Sequence, residues 1–415
     1  MSRPIASARQ YPPGRSPRCF HAAARHPFPP FPGARPRVSL TFARALAALL
    51  LCLAVAACQS VDTQEALETV PAPAAPAGDE VLGSGPVKVA LIVARGAGGQ
   101  AGVDAAEYRN GAALAMTDLG TDHITLSVLG SGGDAAAARA KARQAIADGA
   151  RLVIGPASAA ELEAVEAERK RGQPPVLALV DNTAKRAVGV LTLRSDELDG
   201  ALAVGAYAAA AGRGDILAVA GPGGLSRNAA ARLKAGLEKS GGRLLGTAEF
   251  SAPAGLSGAG DLVGKARAVI ILAGADPEQA VAALRAGGLA ADTLVLGTAL
   301  WTRQHHASAA LAGALVPAPE QSGLREVEAR MRAAYGRPIT TEAAHAYDAV
   351  ALAAGVVRAI GAEGLGPAVL RQPVGFRGAT GAFRFGDDGA VTRLYGIYRV
   401  GKDGLKAVQP VAQGF

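Results

Sequence analysis

The chain has 415 residues, of which 50% are hydrophobic, 19% charged and only 4% aromatic, with a formal net charge of +8. Eight of the 43 Lys and Arg fall in residues 1–57, which hold no Asp or Glu; the 35 that remain face 35 acidic residues, so the charge gives no ground for nucleic-acid binding. The three cysteines, Cys19, Cys52 and Cys58, all lie within the first 58 positions, which excludes a disulfide framework or thiol chemistry from everything downstream.

Residues 1–37 are rich in Pro and Arg and carry no folding pattern, and Val38 is read as an alternative start. Ala45–Ala57 is an uncharged Ala/Leu run of thirteen. It is shorter than the roughly 20 apolar residues a spanning helix needs. With Arg35, Arg37 and Arg44 before it, it suits the core of a secretion signal. It ends in Ala56, Ala57 and Cys58, which resembles the lipobox of bacterial lipoproteins. That resemblance implies cleavage before Cys58 and lipidation on it. Gln59, standing where Asp is more usual in inner-membrane lipoproteins, implies the outer membrane. Residues 1–57 are thus a presequence, and the Pro/Ala/Gly-rich residues 58–85 a flexible tether.

The remaining 330 or so residues exceed one typical core and predict two lobes. "VKVALIV" from Val87 reads as a buried parallel strand, and "AAEYRNGAALAMTDLG" as a helix turning Leu114 and Met116 inward and stopping at Gly120. "ITLSVLG" is a strand, after which Asp134 caps a helix. "RLVIG", the helix "SAAELEAVEAERKR", "PPVLALV" and "VGVLTL" follow, and then a helix from Asp196 to Ala211. The rhythm restarts with the strand "DILAVAG", the helix "SRNAAARLKAGLEKSG" and the strand "RLLGTAEF". It continues through "ARAVIILAG", "DPEQAVAALRAGG" and "DTLVLG" to the long helix "TEAAHAYDAVALAAGVVRAI". "GAFRF", a "GDDG" turn and "RLYGIYRV" close the chain as antiparallel strands. Two successive strand–helix series predict two doubly wound parallel sheets with helices on both faces.

The stretches "LVIGPASA", "PPVLALVDNTA", "AHAYDAVALAAG" and "GFRGATGAFRFGDDGAVTRLYGIYRV" resemble the leucine/isoleucine/valine-binding protein family over about Val87 to Val408. The resemblance implies an α/β type I periplasmic-binding-protein fold: two Rossmann-like lobes joined by three crossings, with a ligand cleft between them. The first lobe would take 86–200 and about 300–365, the second 201–299 and about 366–415. It implies binding of a small solute, such as an amino acid, for an ABC permease, without catalysis or cofactor. A lipoprotein branch of the same fold, the penicillin-binding protein activators, implies a peptidoglycan synthase as partner instead.

In this fold the ligand sits beyond the carboxyl ends of the strands, where helix N-termini offer free N–H groups. Ser158, opening a helix after "VIGPA", is therefore expected to hold a ligand carboxylate; as a plain N-cap it would contribute about 1 kcal/mol. Asn182 and Thr183 stand where the family presents a Thr hydroxyl, though Asn is equally at home in a turn. Two departures stand out. Leu225 and Ser226 occupy the places of a ligand-reaching Tyr-Gly pair, and Ala299 replaces the acid that pairs with an ammonium. A buried ammonium without an anion is costly. Either Asp181, Asp196 or Asp276 then substitutes, with Asp276 the first choice, or the ligand is not an amino acid. Trp301 is a further cleft-lining expectation.

An enzyme is the rival class. Gly96-x-Gly98-x-x-Ala101 follows a strand as a dinucleotide fingerprint does, but the second strand ends "LSVLGSGGD" without the acid that would hold the ribose. No Gly-x-Ser-x-Gly elbow is present. His123, His305, His306 and His345 lack metal-ligand spacing, so neither a metal nor a catalytic residue is assigned.

Overall fold

The computed structural model describes residues 78–167, 169–181 and 186–415. The presequence, Cys58 and the tether before residue 78 lie outside the described residues, as do Asn182 and Thr183.

The first sheet is built from β1 (Glu80–Leu82), β2 (Val87–Val93), β3 (Ile124–Gly130), β4 (Leu152–Ile154), β5 (Val176–Asp181) and β6 (Val190–Arg194). They lie in the order β1-β3-β2-β4-β5-β6, parallel except for β1. Helices α1 (Gly99–Ala115), α2 (Ala135–Ala147) and α3 (Ala159–Ala167) connect successive strands. β2 buries every residue but Lys88, as a strand covered on both faces must. Its odd positions Val89, Leu91 and Val93 pack with α1, and Ala90 and Ile92 pack with α2 and α3. The helix read from Ala105 to Gly120 starts earlier, at Gly99, and its last turn, Met116–Gly120, is π-helical.

The second lobe begins with α4 (Glu197–Ala210), β7 (Asp215–Ala220), α5 (Arg227–Lys239), β8 (Arg243–Ser251) and β9 (Gly255–Ser257). It continues through α6 (Leu262–Lys265), β10 (Ala268–Ile271), α7 (Pro277–Ala286), β11 (Leu294–Leu296), α8 (Arg303–Ala307) and β12 (Leu315–Ala318). Then α9 (Ser322–Tyr335), α10 (Thr341–Ile360) and α11 (Pro367–Leu370) return to the first lobe, with a small antiparallel sheet of β13 (Phe376–Gly378), β14 (Gly381–Phe385) and β15 (Val391–Arg393). The chain ends with β16 (Gly396–Gly401) and β17 (Gly404–Gln409), completing the second sheet, β17-β16-β12-β11-β10-β7-β8-β9. α10 is long and apolar enough to cross a membrane, yet it is 67% buried here as the core helix over the first sheet.

The chain passes between the sheets three times, after β6, after β12 and after β15. The lobe boundaries differ from the expected ones. β12 pairs with β11, so the second lobe runs on to Ala318 rather than ending at 299. Residues 366–393 sit on the first lobe, because Phe376, Phe383, Phe385 and Val391 pack into its core. "RLYGIYRV" is two strands in two sheets, with the third crossing at Leu394 and Tyr395.

Two polar devices hold these joints. Arg393, 8% exposed, donates to the Leu193 carbonyl at 2.6 Å and to the Thr380 hydroxyl at 2.6 Å, tying the first crossing to the third. Asp348 on α10, 2% exposed, accepts from the Ala379 N–H at 2.6 Å, the Thr380 N–H at 2.9 Å and the Thr380 hydroxyl. The tether expected to run to residue 85 is already fixed at 79–82. Glu80 forms ion pairs with Arg95 and Arg109, and Asp79 with Lys141 at 2.5 Å. These pairs pin β1 along β3.

Candidate functional site

The strand order reverses between β2 and β4 in one sheet and between β7 and β10 in the other. Open α/β sheets bind ligands at such switch points, beyond the carboxyl ends of the strands. The loops there are 94–98 after β2, 155–158 after β4, 221–226 after β7 and 272–276 after β10. Glycine is required at two of these turns. A Cβ on Gly155, at φ +84°, would stand 2.2 Å from the Ile92 carbonyl oxygen. A Cβ on Gly221 would stand 2.2 Å from the Gly274 carbonyl carbon, so glycine there lets the β7 and β10 loops touch.

Two expected residues lie at switch-point helices, Asp276 before α7 and Ser158. Ser158 stands one residue before α3, and its Oγ accepts from the Glu161 N–H at 3.3 Å. Its proton goes to Glu161 Oε2 at 2.8 Å. The other Glu161 oxygen accepts from the Ser131 hydroxyl at 2.5 Å. Glu161 is 1% exposed, so a carboxylate is already built in between the ends of β3 and β4, beside the start of α3. Helix N-termini stabilise negative charge. The S-x-x-E spacing of Ser158 and Glu161 is a capping-box signature, and that signal was available in the sequence.

The acids proposed to replace the missing anion are otherwise engaged. Asp276 caps α7 through the Gln279 N–H at 2.9 Å. Asp181 pairs with Arg194 at 3.0 Å, and Arg194 also reaches the Tyr108 hydroxyl at 3.1 Å. Asp196 caps α4 and is gripped by Arg232 through both carboxylate oxygens. Arg232 also pairs with Asp199 at 2.6 Å. Burial, and then the neighbouring Asp196 charge, push the Asp199 carboxyl up to about 6. Trp301 is 6% exposed and packs in the core of the second lobe, its ring against Gly297 and edge-on to His305 at 6.0 Å. It is not brought to the switch point.

One carboxylate escaped the sequence reading. Glu197, in the first turn of α4, accepts from the Ala273 N–H at 2.6 Å and from Thr298, at the carboxyl ends of β10 and β11. Burial raises its pKa. Ala299, where the acid is missing, lies against Gly200 on the same helix. Glu197 thus stands beside the position that lost its acid, contributed by another element.

Cavities of about 630 and 710 Å³ lie elsewhere, toward the amino ends of the strands. One lies between α2 and α3, and the other at the starts of β7, β8, β10 and β11. Neither contains a switch-point loop, so topology rather than cavity size locates the site. Among the described residues no group of His, Cys, Asp and Glu is arranged to hold a metal ion.

The family model described as "Periplasmic binding protein" matches residues 86–405. A comparison with curated proteins finds no significant match. Among solved structures, a putative branched-chain amino acid ABC transporter from Rhodospirillum rubrum is 19% identical at a TM-score of 0.64, covering 78% of this chain and 100% of that one. An ABC transporter substrate-binding protein from Sphaerobacter thermophilus is 18% identical at 0.58, covering 79% and 97%. A solute-binding protein of an ABC transporter from Rhodopseudomonas palustris BisB5, in complex with 3,4-dihydroxy benzoic acid, is 16% identical at 0.54, covering 79% and 97%. At these identities the likeness carries the fold.

Proposed function

This chain belongs to the periplasmic binding protein family, and on that premise we propose that it is an extracytoplasmic receptor that binds a small solute between its lobes. It would deliver that solute to an ABC permease without chemistry. The observation that carries this reading is the pair of switch points, one per sheet, in two lobes joined by three crossings on which they would close. Ser158, at the switch point of the first sheet, Asp276, at that of the second, and Glu197, beside Thr298, are the polar side chains we assign to this cleft, together with Asn182 and Thr183 from the sequence reading. Lipidation at Cys58 would hold the receptor at the outer membrane.

A second reading is an interaction module that stimulates a peptidoglycan synthase. The engagement of Asp181, Asp196 and Asp276 in caps and ion pairs favours it, because these acids are not free to meet an amino-acid ammonium. The test is a thermal-shift screen of the full chain in detergent against amino acids, their amides, amines and aromatic acids. A native-state ligand at 100 times its Kd stabilises by about 2.7 kcal/mol. A saturable shift weakened by Ser158→Ala supports the receptor. A silent screen, with a synthase captured equally by wild type and Ser158→Ala, overturns it.

A further inference from the structure

We infer that the first-lobe floor is built to take a hydrogen-bond donor, not a carboxylate, so that the solute presents an amide, amine or hydroxyl to Ser158. This deepens the receptor reading and rests on it.

The inference follows from counting protons. A serine hydroxyl has one proton, and a carboxylate accepts but does not donate. The proton between Ser158 Oγ and Glu161 Oε2, 2.8 Å apart, therefore belongs to the serine and is already committed. The Ser131 proton has two acceptors in reach, the Val93 carbonyl at 3.0 Å and Glu161 Oε1 at 2.5 Å. That carbonyl already accepts from the Arg95 N–H at 2.8 Å and the Ser131 N–H at 2.9 Å, so the hydroxyl proton goes to Glu161. What Ser158 has left toward the cleft is lone-pair capacity. A solute carboxylate placed on Ser158 would meet a hydroxyl with no proton to give. It would also stand one hydroxyl away from the buried Glu161 charge, where little water screens the repulsion.

Nearby cations do not reverse this. Arg95 just past β2, Arg194 at the end of β6 and Arg232 in the second turn of α5 are held by Glu80, Asp181 and Asp196 respectively, and Arg227, which opens α5, is exposed on the other lobe. In the second lobe Glu197 adds a carboxylate that accepts from the Ala273 N–H and from Thr298. The side chains at both switch points, Ser158 and Glu197, therefore present acceptors, and the donors left are the backbone N–H groups that open α3.

The experiment uses matched pairs that differ only at the carboxylate: L-isoleucine with L-isoleucinamide and benzoate with benzamide, plus putrescine and agmatine. Binding is measured by calorimetry on the full chain in detergent, as wild type and as Glu161→Gln. The glutamine keeps the side-chain shape but can donate, which releases a serine proton toward the cleft. Wild type is expected to bind the amide of a pair, or the amines, at least about tenfold tighter than the carboxylates. Glu161→Gln should shift that ratio toward the carboxylate by about tenfold. Carboxylates bound as tightly as their amides by wild type overturn the inference, whether or not the variant folds, and leave the receptor reading standing. An amide preference that Glu161→Gln leaves unchanged overturns the role of Glu161. If no compound binds either protein, the receptor reading fails and the inference falls with it.

Discussion

Replacing Asp348 by Ala should unfold the joint at the third crossing before it disturbs either sheet. The side chain is 2% exposed and accepts from the Ala379 and Thr380 N–H groups and the Thr380 hydroxyl. Alanine leaves two backbone donors without partners in a buried turn, each costing about 1–3 kcal/mol, and strands the hydroxyl proton. Thr380 keeps its contact from Arg393 at 2.6 Å, which limits the damage to that hydroxyl. The expected loss is about 3–5 kcal/mol, a large share of the roughly 5–15 kcal/mol that holds a typical domain together. Urea unfolding with an unchanged slope reads this as a lowered midpoint. Native-state hydrogen exchange should show the 379 and 380 amides losing protection first. Asp348→Asn, which keeps the shape but turns an NH₂ group toward at least one donor, should fall between. A loss under about 1 kcal/mol for the alanine variant would refute the claim that this carboxylate organises the turn.

Gly155→Ala should cost about 2–4 kcal/mol, because the left-handed φ and the 2.2 Å approach to the Ile92 carbonyl leave no room for a methyl group; thermal melting checks it. Asp199 titrates near 3.8 when unfolded and at about 6 when folded, so the native state binds the extra proton between those values and stability falls as pH rises through pH 4 to 6. The fall is at most about 3 kcal/mol at 1.36 kcal/mol per unit, reduced by partial exposure, and Asp199→Asn should flatten that segment of a melting-versus-pH curve. Cys58→Ser should abolish fatty-acid labelling and release the protein from membranes; a variant that still fractionates with them contradicts lipidation at that residue. Reductant should leave the melting temperature unchanged, since no cysteine follows Cys58.

The alternation of short apolar runs with helical segments was readable along most of the chain because each parallel strand is buried on both faces and each helix on one. That patterning is local, and it fixes the fold class and the two-lobe plan. Ser158 was legible as a switch-point residue from its place after "VIGPA", and Glu161 was legible in principle from its three-residue spacing to Ser158. Where the chain changes lobes was not legible. "RLYGIYRV" alternates like one strand, and its division at Leu394 and Tyr395 depends on which sheet offers a free edge. β12 is four residues long and contains Pro317, so it carries little strand signal of its own. Trp301 was expected in the site because it lies just past a strand, and Asp276 as a replacement for the acid missing at Ala299. Trp301 packs against Gly297, and Asp276 caps α7 at the switch point of the second sheet. The Glu197 carboxylate beside Thr298 and the commitment of the Ser158 proton to Glu161 were decided by tertiary structure, because each depends on several strand ends converging in space. Sequence spacing records which groups a segment carries, but not which acceptor takes the single proton of a hydroxyl once segments distant in the chain are brought within hydrogen-bond reach.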